Sequence, residues 1–489
     1  MFLNSFSYLE QGASTFGSTY THPDLVLMLP KYRRLRDCLT GHVKERGQIY
    51  LPDPSEVREE HDIKTERYEK YLKRAVFLPV TRRTQQGLVG QVFVRKPTIT
   101  QGNLPDEVID SISVQGLKTS SFANYILKET VATGRGVIVV GISDAAQKAM
   151  LDYIEAENVI TWADLPYGMV DGLGRNIGSV VVRTFTSEIG NNGVTPELRA
   201  RLVQYRLDMR GLAYMRICTS ATDESNWSNY VPILVRGVHL THLPVYPVGS
   251  DDNTFKISTP PLLELADLNI SHYVNSADYE EHVNIAGQVT TVVSGLEQKW
   301  YDKNINGKIA FGVRSPIPLP QQAKAYLLQA NANSTAKEAM DKKEAMMVSV
   351  GARLIEQRQV RRTATESSIE AESYHSILGH IAINVADALT AAMVDLGRFY
   401  DGEYSKNSIA LNTEFGIVAT SAEHRRLLLE EWQKGLRSFN EARRALRMYD
   451  DRLDDDVQAQ TEIESGLELL TKVASVGSKP VEGSDNRTI

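Results

Sequence analysis

The 489-residue sequence holds only two cysteines, Cys38 and Cys218. That is too few for a disulfide framework and suits a reducing compartment. Neither has a second cysteine at metal-motif spacing, so the C-x-x-C and Cys/His patterns of zinc sites are missing. Gly-x-Ser-x-Gly, the turn that exposes a nucleophilic serine, does not occur. Neither does Gly-x-x-x-x-Gly-Lys-Ser/Thr, whose backbone amides cradle phosphates, which excludes a conventional P-loop ATPase. The opening Met-Phe-Leu-Asn-Ser-Phe-Ser lacks the basic stretch and apolar run of a signal peptide. No apolar segment is expected to approach the ~18 residues that span a bilayer, and the expectation is a soluble protein made in the cytosol. An excess of positive charge is also absent: 54 Lys and Arg against 61 Asp and Glu leave a net charge of −7. A dedicated duplex-DNA binder neutralises phosphates with Lys and Arg, so this balance argues against one. It does not argue against a conduit, because a channel through which DNA slides has no need to grip it.

What is present is an ordinary folded composition, 42% hydrophobic and 24% charged, enough for a sizeable core. The length fits two to four domains or one large composite body. Residues 1–20 are rich in Ser, Gly, Thr and Tyr without periodicity and read as an arm. A helical pattern runs from about 24 to 48 and ends at Glu45-Arg46-Gly47, and a charged helix follows at 55–75. Thr84 to Lys96 reads as a short strand region. Val137 to Val140, Ser179 to Val182 and Leu202 to Leu207 are β-branched or alternating runs between turn residues, with helical patches at 120–132 and 144–155. The first half is therefore expected to be a mixed α/β body.

The second half is mostly helical in pattern. Ser258-Thr259-Pro260 offers a cap followed by Pro in the first turn, and Gly287 closes the run. Asn269, His272, Asn275, Ser276 and Asp278 are mixed among its apolar residues, a two-sided polarity that suits a subunit interface better than a dry core. Residues 287–320 read as a β-like insert with turns at Ser294-Gly295 and Asn306-Gly307, closed by Pro316, Pro318 and Pro320. A second helix is expected over roughly 323–355, then a short charged break from Glu356 to Arg362. Thr363-Ala364-Thr365-Glu366 has the form of a capping box, in which Thr363 accepts from the N3 amide and Glu366 reaches back to the cap amide. Behind it Tyr374, Ile377, Leu378, Ile381, Val385, Leu389, Ala392, Leu396 and Phe399 keep a helical stripe to Tyr400, a helix of roughly 55 Å. Ser408 to Leu411 reads as a strand, two or three helices as occupying 421–473, and Val476 to Ile489 as a disordered tail.

Several motifs invite a chemical reading and are outweighed by a plainer one. Gly172-Leu173-Gly174-Arg175-Asn176-Ile177-Gly178 resembles a dinucleotide fingerprint, but that chemistry needs a strand before the glycines and a helix after them. Here a β-like run follows and the spacing is off by one, so a turn is expected. The acidic run Asp450 to Asp456 lacks the alternate ligands, turn glycine and final Glu of a calcium loop, and reads as a solvated face. His375 and His380 are five apart, which points them in different directions on a helix. His239 and His242 lie outside any His-Glu-x-x-His context. Arg425, Arg426, Arg443, Arg444 and Arg447 read as helix surface paired with Glu430, Glu431 and Glu441. No catalytic, cofactor-binding or metal-ligating residue is assigned, and the chain is expected not to be an enzyme.

The order of these elements, with short local motifs, resembles tailed-bacteriophage portal proteins. In particular the chain resembles a portal-like family from phage genomes, formerly described only as a domain of unknown function. The matching stretches are His22-Pro23, Arg36 to Gly41, Tyr50-Leu51-Pro52, Gly87 to Phe93, Tyr153 to Asn158 with Trp162, Leu268-Asn269, His272-Tyr273 and Ser276 to Tyr279. The Thr363 box is similar to the helix start after the tunnel loop in podophage portals. The likeness covers about residues 20–420. It implies an α+β, helix-rich portal fold: an N-terminal arm and α/β wing over 1–257, stem helices at 258–286 and 336–355, and a small β-containing clip at 287–335. It further implies a tunnel loop at 356–362, a long wing helix and strand over 363–420, a helical crown at 421–475 and a flexible tail at 476–489.

The function so implied is a homo-oligomeric ring, a dodecamer in that family, at one capsid vertex of the virion. Double-stranded DNA passes through it without sequence specificity during packaging and ejection. Implied partners are the terminase large subunit, head-to-tail adaptor or tail proteins, and major capsid and scaffold proteins, with no membrane and no cofactor. The tunnel loop would be Glu356, Gln357, Arg358, Gln359, Val360, Arg361 and Arg362, with Thr363 and Glu366 as the following cap. Its arginines would repeat around the axis and touch phosphates without reading bases, although a merely solvated charged loop is an equally good reading of the residues. Another phage head-completion or minor capsid protein of similar build is the alternative function; a nucleotide-using enzyme on the α/β half ranks below both.

Overall fold

A computed structural model describes residues 21–54, 61–143, 148–189 except 167, 196–219, 227–287, 290–295, 323–328, 335–354, 376–415 except three single positions, and four positions between 426 and 434. By its internal contacts the chain divides into two units, 1–415 and 416–489. Within the second unit the described residues include a helical turn in which Glu430 pairs with Arg426 at 3.5 Å and with Lys434 at 3.9 Å.

The first unit is α+β. Helix α1 (Pro23–Thr40) starts with His22, whose Nδ1 accepts from the Asp24 amide, and with Pro at the position where no amide partner is needed. It stops at Gly41, φ +90°, short of the 48 expected, because the left-handed residue there closes the last turn on the Asp37 carbonyl. Helix α2 (His61–Arg74) precedes α3 (Val80–Val92), the one-turn α4 (Asp106–Ile109) and α5 (Thr119–Thr133). The α3 region corrects the strand expected at Thr84 to Lys96. Thr81, Gln85, Leu88, Val89 and Val92 are its buried residues, a helical stripe whose burial outweighs the β-branched and glycine-rich composition.

Three antiparallel strands, β2 (Arg135–Ser143), β3 (Lys148–Glu155) and β11 (Val245–Gly249), form the central sheet in the order β11-β2-β3. Strand β3 corrects the helical patch expected at 144–155. The Ala, Lys and Gln around it favour helix, but Ala149, Leu151 and Tyr153 alternate inward opposite β2. Alternation assigns the two faces of this sheet. Ile138, Val140, Leu151, Tyr153 and Val248 join the helical core, while Val137, Val139, Ile154 and Val245 face a second cluster. That second cluster is completed by Val180, Val182, Val203, Tyr205 and Leu207. These come from a five-stranded antiparallel sheet of β4 (Val159–Ala163), β5 (Ser179–Ile189), β6 (Pro196–Leu207), β7 (Ala213–Cys218) and β8 (Val231–Pro232). The body therefore has three layers: helices, three-stranded sheet, five-stranded sheet. Short pairs β9 (Leu234–Val235) with β10 (Val238–His239), and β1 (Thr98–Thr100) with β14 (Ser408–Ala410), complete it. Cys38 and Cys218 are both buried, in different clusters.

Three long helices remain: α6 (Leu263–Gly287), α7 (Thr335–Arg353) and α8 (Ile377–Asp401). Between α6 and α7, β12 (Thr290–Ser294) pairs antiparallel with β13 (Lys324–Leu328), so residues 324–328 are strand where the second helix was expected to have begun. Helix α6 starts five residues later than the Ser258 cap implied, after Pro260 and Pro261. Helix α8 is long and apolar enough to cross a membrane by length and composition, contrary to the sequence expectation. More than half of that stretch is buried here, with Ile381, Val385, Leu389, Ala392 and Leu396 in the helical core.

Candidate functional site

The part of the first unit that leaves its core is the arm made by α6, the β12–β13 pair and α7. Lys343 donates to the Ser271 carbonyl at 2.9 Å and His272 meets Glu344 at 3.1 Å. Nearer the body, Arg353 and Leu354 share a cleft with Leu263 and Leu268. The two helices therefore run antiparallel, with the strand pair joining their far ends.

The arm is anchored by a polar seam. At 3.6 residues per turn, Asn269, His272, Tyr273 and Ser276 lie along one stripe of α6, and all four are buried. Asn269 donates to Thr81 Oγ1 on α3 at 3.2 Å. Ser276 Oγ accepts from the Val76 amide at 3.0 Å and donates to the Val76 carbonyl at 2.8 Å. Tyr71 on α2 donates to Asp278 at 2.7 Å, and Arg74 is ion-paired with Glu281. Burial and the Asp278 carboxylate push the Tyr71 hydroxyl well above its ordinary value. Part of the mixed polarity read as a subunit-interface signature is thus used inside the chain, where Asn269, His272, Ser276 and Asp278 fasten α6 to α3, α7, the α2–α3 connection and α2. Asn269 Oδ1, His272 Nδ1 and the Tyr273 hydroxyl are buried without a hydrogen-bond partner among the described residues.

Beyond the seam the arm is open. On α6, Leu265, Ala266, Tyr273 and Ala277 are buried, but from Asp278 onward no residue is. On α7 only Met347 is buried. Val283, Ile285, Tyr326, Met346 and Val348 are exposed, the last by 73%. Exposed charged residues of α7, Lys337, Glu338, Asp341, Lys342 and Glu344, lie among them.

At the base of the arm α7 and α8 meet end to end. Leu354 lies just past α7, and its carbonyl accepts from the Leu378 amide at 3.1 Å. The C-terminal end of α7 and the N-terminal end of α8 are therefore adjacent. The predicted tunnel loop, Glu356, Gln357, Arg358, Gln359, Val360, Arg361 and Arg362, and the predicted cap, Thr363 with Glu366, fall in the stretch between them and lie outside the described residues. The helix after it carries its own cap. Ser376 is extended (φ −60°, ψ 163°) and its Oγ accepts from the Gly379 amide at 3.1 Å. One unbroken helix from Thr363 to Tyr400 is excluded, and α8 is about 37 Å long. Most of the crown, the tail, the acidic run Asp450 to Asp456 and most of the clip also lie outside the described residues.

The family model that matches is "Domain of unknown function (DUF4055)", over residues 261–397. That span holds α6, the β12–β13 pair, α7 and nearly all of α8. No curated protein matches. Among solved structures the chain is similar to a chain of "Neck of empty GTA particle computed with C6 symmetry", at 12% identity and TM-score 0.39, covering 74% of this chain and 87% of that one. A chain of "Virion of native gene transfer agent (GTA) particle" matches at 12% identity and TM-score 0.39 over 83% of this chain and 98% of that one. One of "Neck of native GTA particle computed with C12 symmetry" matches at 12% and 0.35 over the same shares. At these scores the likeness carries no functional argument of its own.

The remaining motifs take structural places. The glycine run is a turn: Asp171 accepts from the Leu173 and Arg175 amides and from Arg175 Nε, Gly174 has φ +79°, and strand β5 follows. His239 Nε2 meets the Ala213 carbonyl at 2.7 Å and His380 Nε2 the Asp251 carbonyl at 2.7 Å. His242 is buried against Asp395 at 3.1 Å. His375 lies outside the described residues. Among the described residues no three His, Cys, Asp or Glu side chains converge as metal ligands.

Proposed function

We propose that this chain is one subunit of a ring in a phage or phage-like particle, the portal at one capsid vertex through which double-stranded DNA is packaged and ejected. The observation that carries this reading is the arm. A helix pair fastened to an α/β body by a polar seam and tipped by a strand pair, with Val283, Ile285, Tyr326, Met346 and Val348 exposed among charged side chains, fits the stem and clip that the portal resemblance implies. Copies around an axis would cover those apolar side chains through heterologous contacts, each subunit using two different faces. The role is geometric and electrostatic and needs no catalysis. The loop Glu356–Arg362 would line the narrowest part of the channel, as the portal resemblance implies. The tip of the arm would dock the packaging motor and then the head-to-tail adaptor.

Negative-stain imaging with mass measurement of the purified full chain tests this. The expected result is a ring with a central hole, twelve-membered if the subunit number follows the portal family. A species that stays monomeric at high concentration across salt conditions would sink the proposal.

A further inference from the structure

The outer face of the five-stranded sheet carries a second surface, remote in sequence from the arm. On that face Ser179 of β5, Gln204 and Arg206 of β6, and Tyr214 and Arg216 of β7 stand side by side, with Gln204 directly opposite Arg216. The Arg216 guanidinium lies over the Trp227 ring at 4.4 Å and the Tyr230 ring at 4.7 Å. Its Nε donates to Gln204 Oε1 at 2.7 Å. Gln204 is itself held, accepting from the Tyr230 hydroxyl at 3.3 Å and donating to Ser179 Oγ at 3.1 Å. Arg206 lies 6.0 Å from the same Tyr230 ring. Neither Arg206 nor Arg216 has a carboxylate partner among the described residues, in a chain where acidic residues outnumber basic ones.

We infer that this face is a docking site for an acidic, extended segment of a partner protein, with Arg206 and Arg216 each taking one carboxylate. A guanidinium stacked on aromatic rings and tied at Nε has already lost most of its rotamer freedom. A bidentate carboxylate contact at its remaining N–H groups therefore costs little further ordering. Arg206 and Arg216 are diagonal neighbours on adjacent strands, a separation of roughly 7–8 Å. Alternate side chains of an extended chain recur every ~6.8 Å on one face, so carboxylates two residues apart match the pair. Two arginines are a small footprint for nucleic acid, whose binding scales with the number of phosphates neutralised. Charge complementarity and spacing thus favour an acidic peptide. This inference stands on the sheet alone and is independent of the ring reading.

The test is fluorescence anisotropy of the full chain with a labelled ten-residue peptide of alternating Glu and Thr, beside a peptide of the same composition with its Glu residues in one block. A single-stranded oligonucleotide serves as the nucleic-acid probe. Each lost charge-assisted contact is expected to weaken the alternating peptide about tenfold. Arg206→Ala, at an exposed position, should show this with an unchanged thermal melt. Arg216→Lys should show it too, because an ammonium keeps the charge and loses the fork. The alternating peptide should also bind more tightly than the blocked one. Failure of the peptide to bind, equal binding by both variants and the parent, no preference between the two peptides, or binding of the oligonucleotide alone would each overturn the inference.

Discussion

Asp152 on β3 shows how one residue can set a pH dependence far from any site. Burial pushes its carboxyl up from 3.8 to about 6, against the lowering influence of the Tyr153 amide and Arg201. The folded value lies above the unfolded one, so the native state binds the proton more tightly than the unfolded chain. The group's contribution is therefore most favourable below about pH 4 and is lost as pH rises to about 6. The full shift corresponds to about 3 kcal/mol, and less because solvent reaches one edge of the side chain. Asp152→Asn is expected to raise stability at pH 7 by about 1–3 kcal/mol and to flatten this slope, read from urea unfolding at pH 4.5 and pH 7. Equal stability of variant and parent at pH 7 would refute it. Such pairings were not legible in the sequence. Arg36 joins the buried Glu129 and Glu157, the latter 121 residues away, and only the folded chain brings those charges together.

At the scale of elements the sequence was legible where burial is one-sided and regular. The stripe Ile381, Val385, Leu389, Ala392 and Leu396 gave α8, and the β-branched runs gave β2, β5 and β6. It misled where local propensity and tertiary packing disagree, as at α3 and β3. The start of α8 is a sharper case. Thr363-Ala364-Thr365-Glu366 has the full local form of a capping box, whereas Ser376 has Gly379, not Glu, three residues on. Yet Ser376 is the residue whose hydroxyl accepts the Gly379 amide. A cap stabilises only the turn it faces, so Ser376→Ala is expected to cost about 1 kcal/mol while Ser376→Asp retains most of it. Denaturant unfolding of the two variants measures this. A loss from the Asp variant as large as that from Ala would show that the hydroxyl's role is packing, not capping.

For the whole molecule, the proposed ring makes fold and assembly separable at adjacent residues of α7. Met347 is buried and packs in the helical core, whereas Val348 is 73% exposed on the arm. Part of this was foreseeable: the helix–insert–helix order is visible in the sequence, but which face of each helix the body claims is not. Met347→Ala should lower subunit stability by about 2–5 kcal/mol, as removal of a core side chain does. Val348→Asp changes a solvated position of the lone subunit, so its unfolding free energy should stay within about 0.5 kcal/mol of the parent. In a ring the same aspartate would be buried at every interface without a partner, at a cost of several kcal/mol per contact. Sedimentation velocity should therefore find Val348→Asp as folded monomers under conditions where the parent forms rings. Rings formed equally well by this variant would remove the exposed face of α7 from the subunit contact and leave the arm's exposed apolar side chains to a different partner.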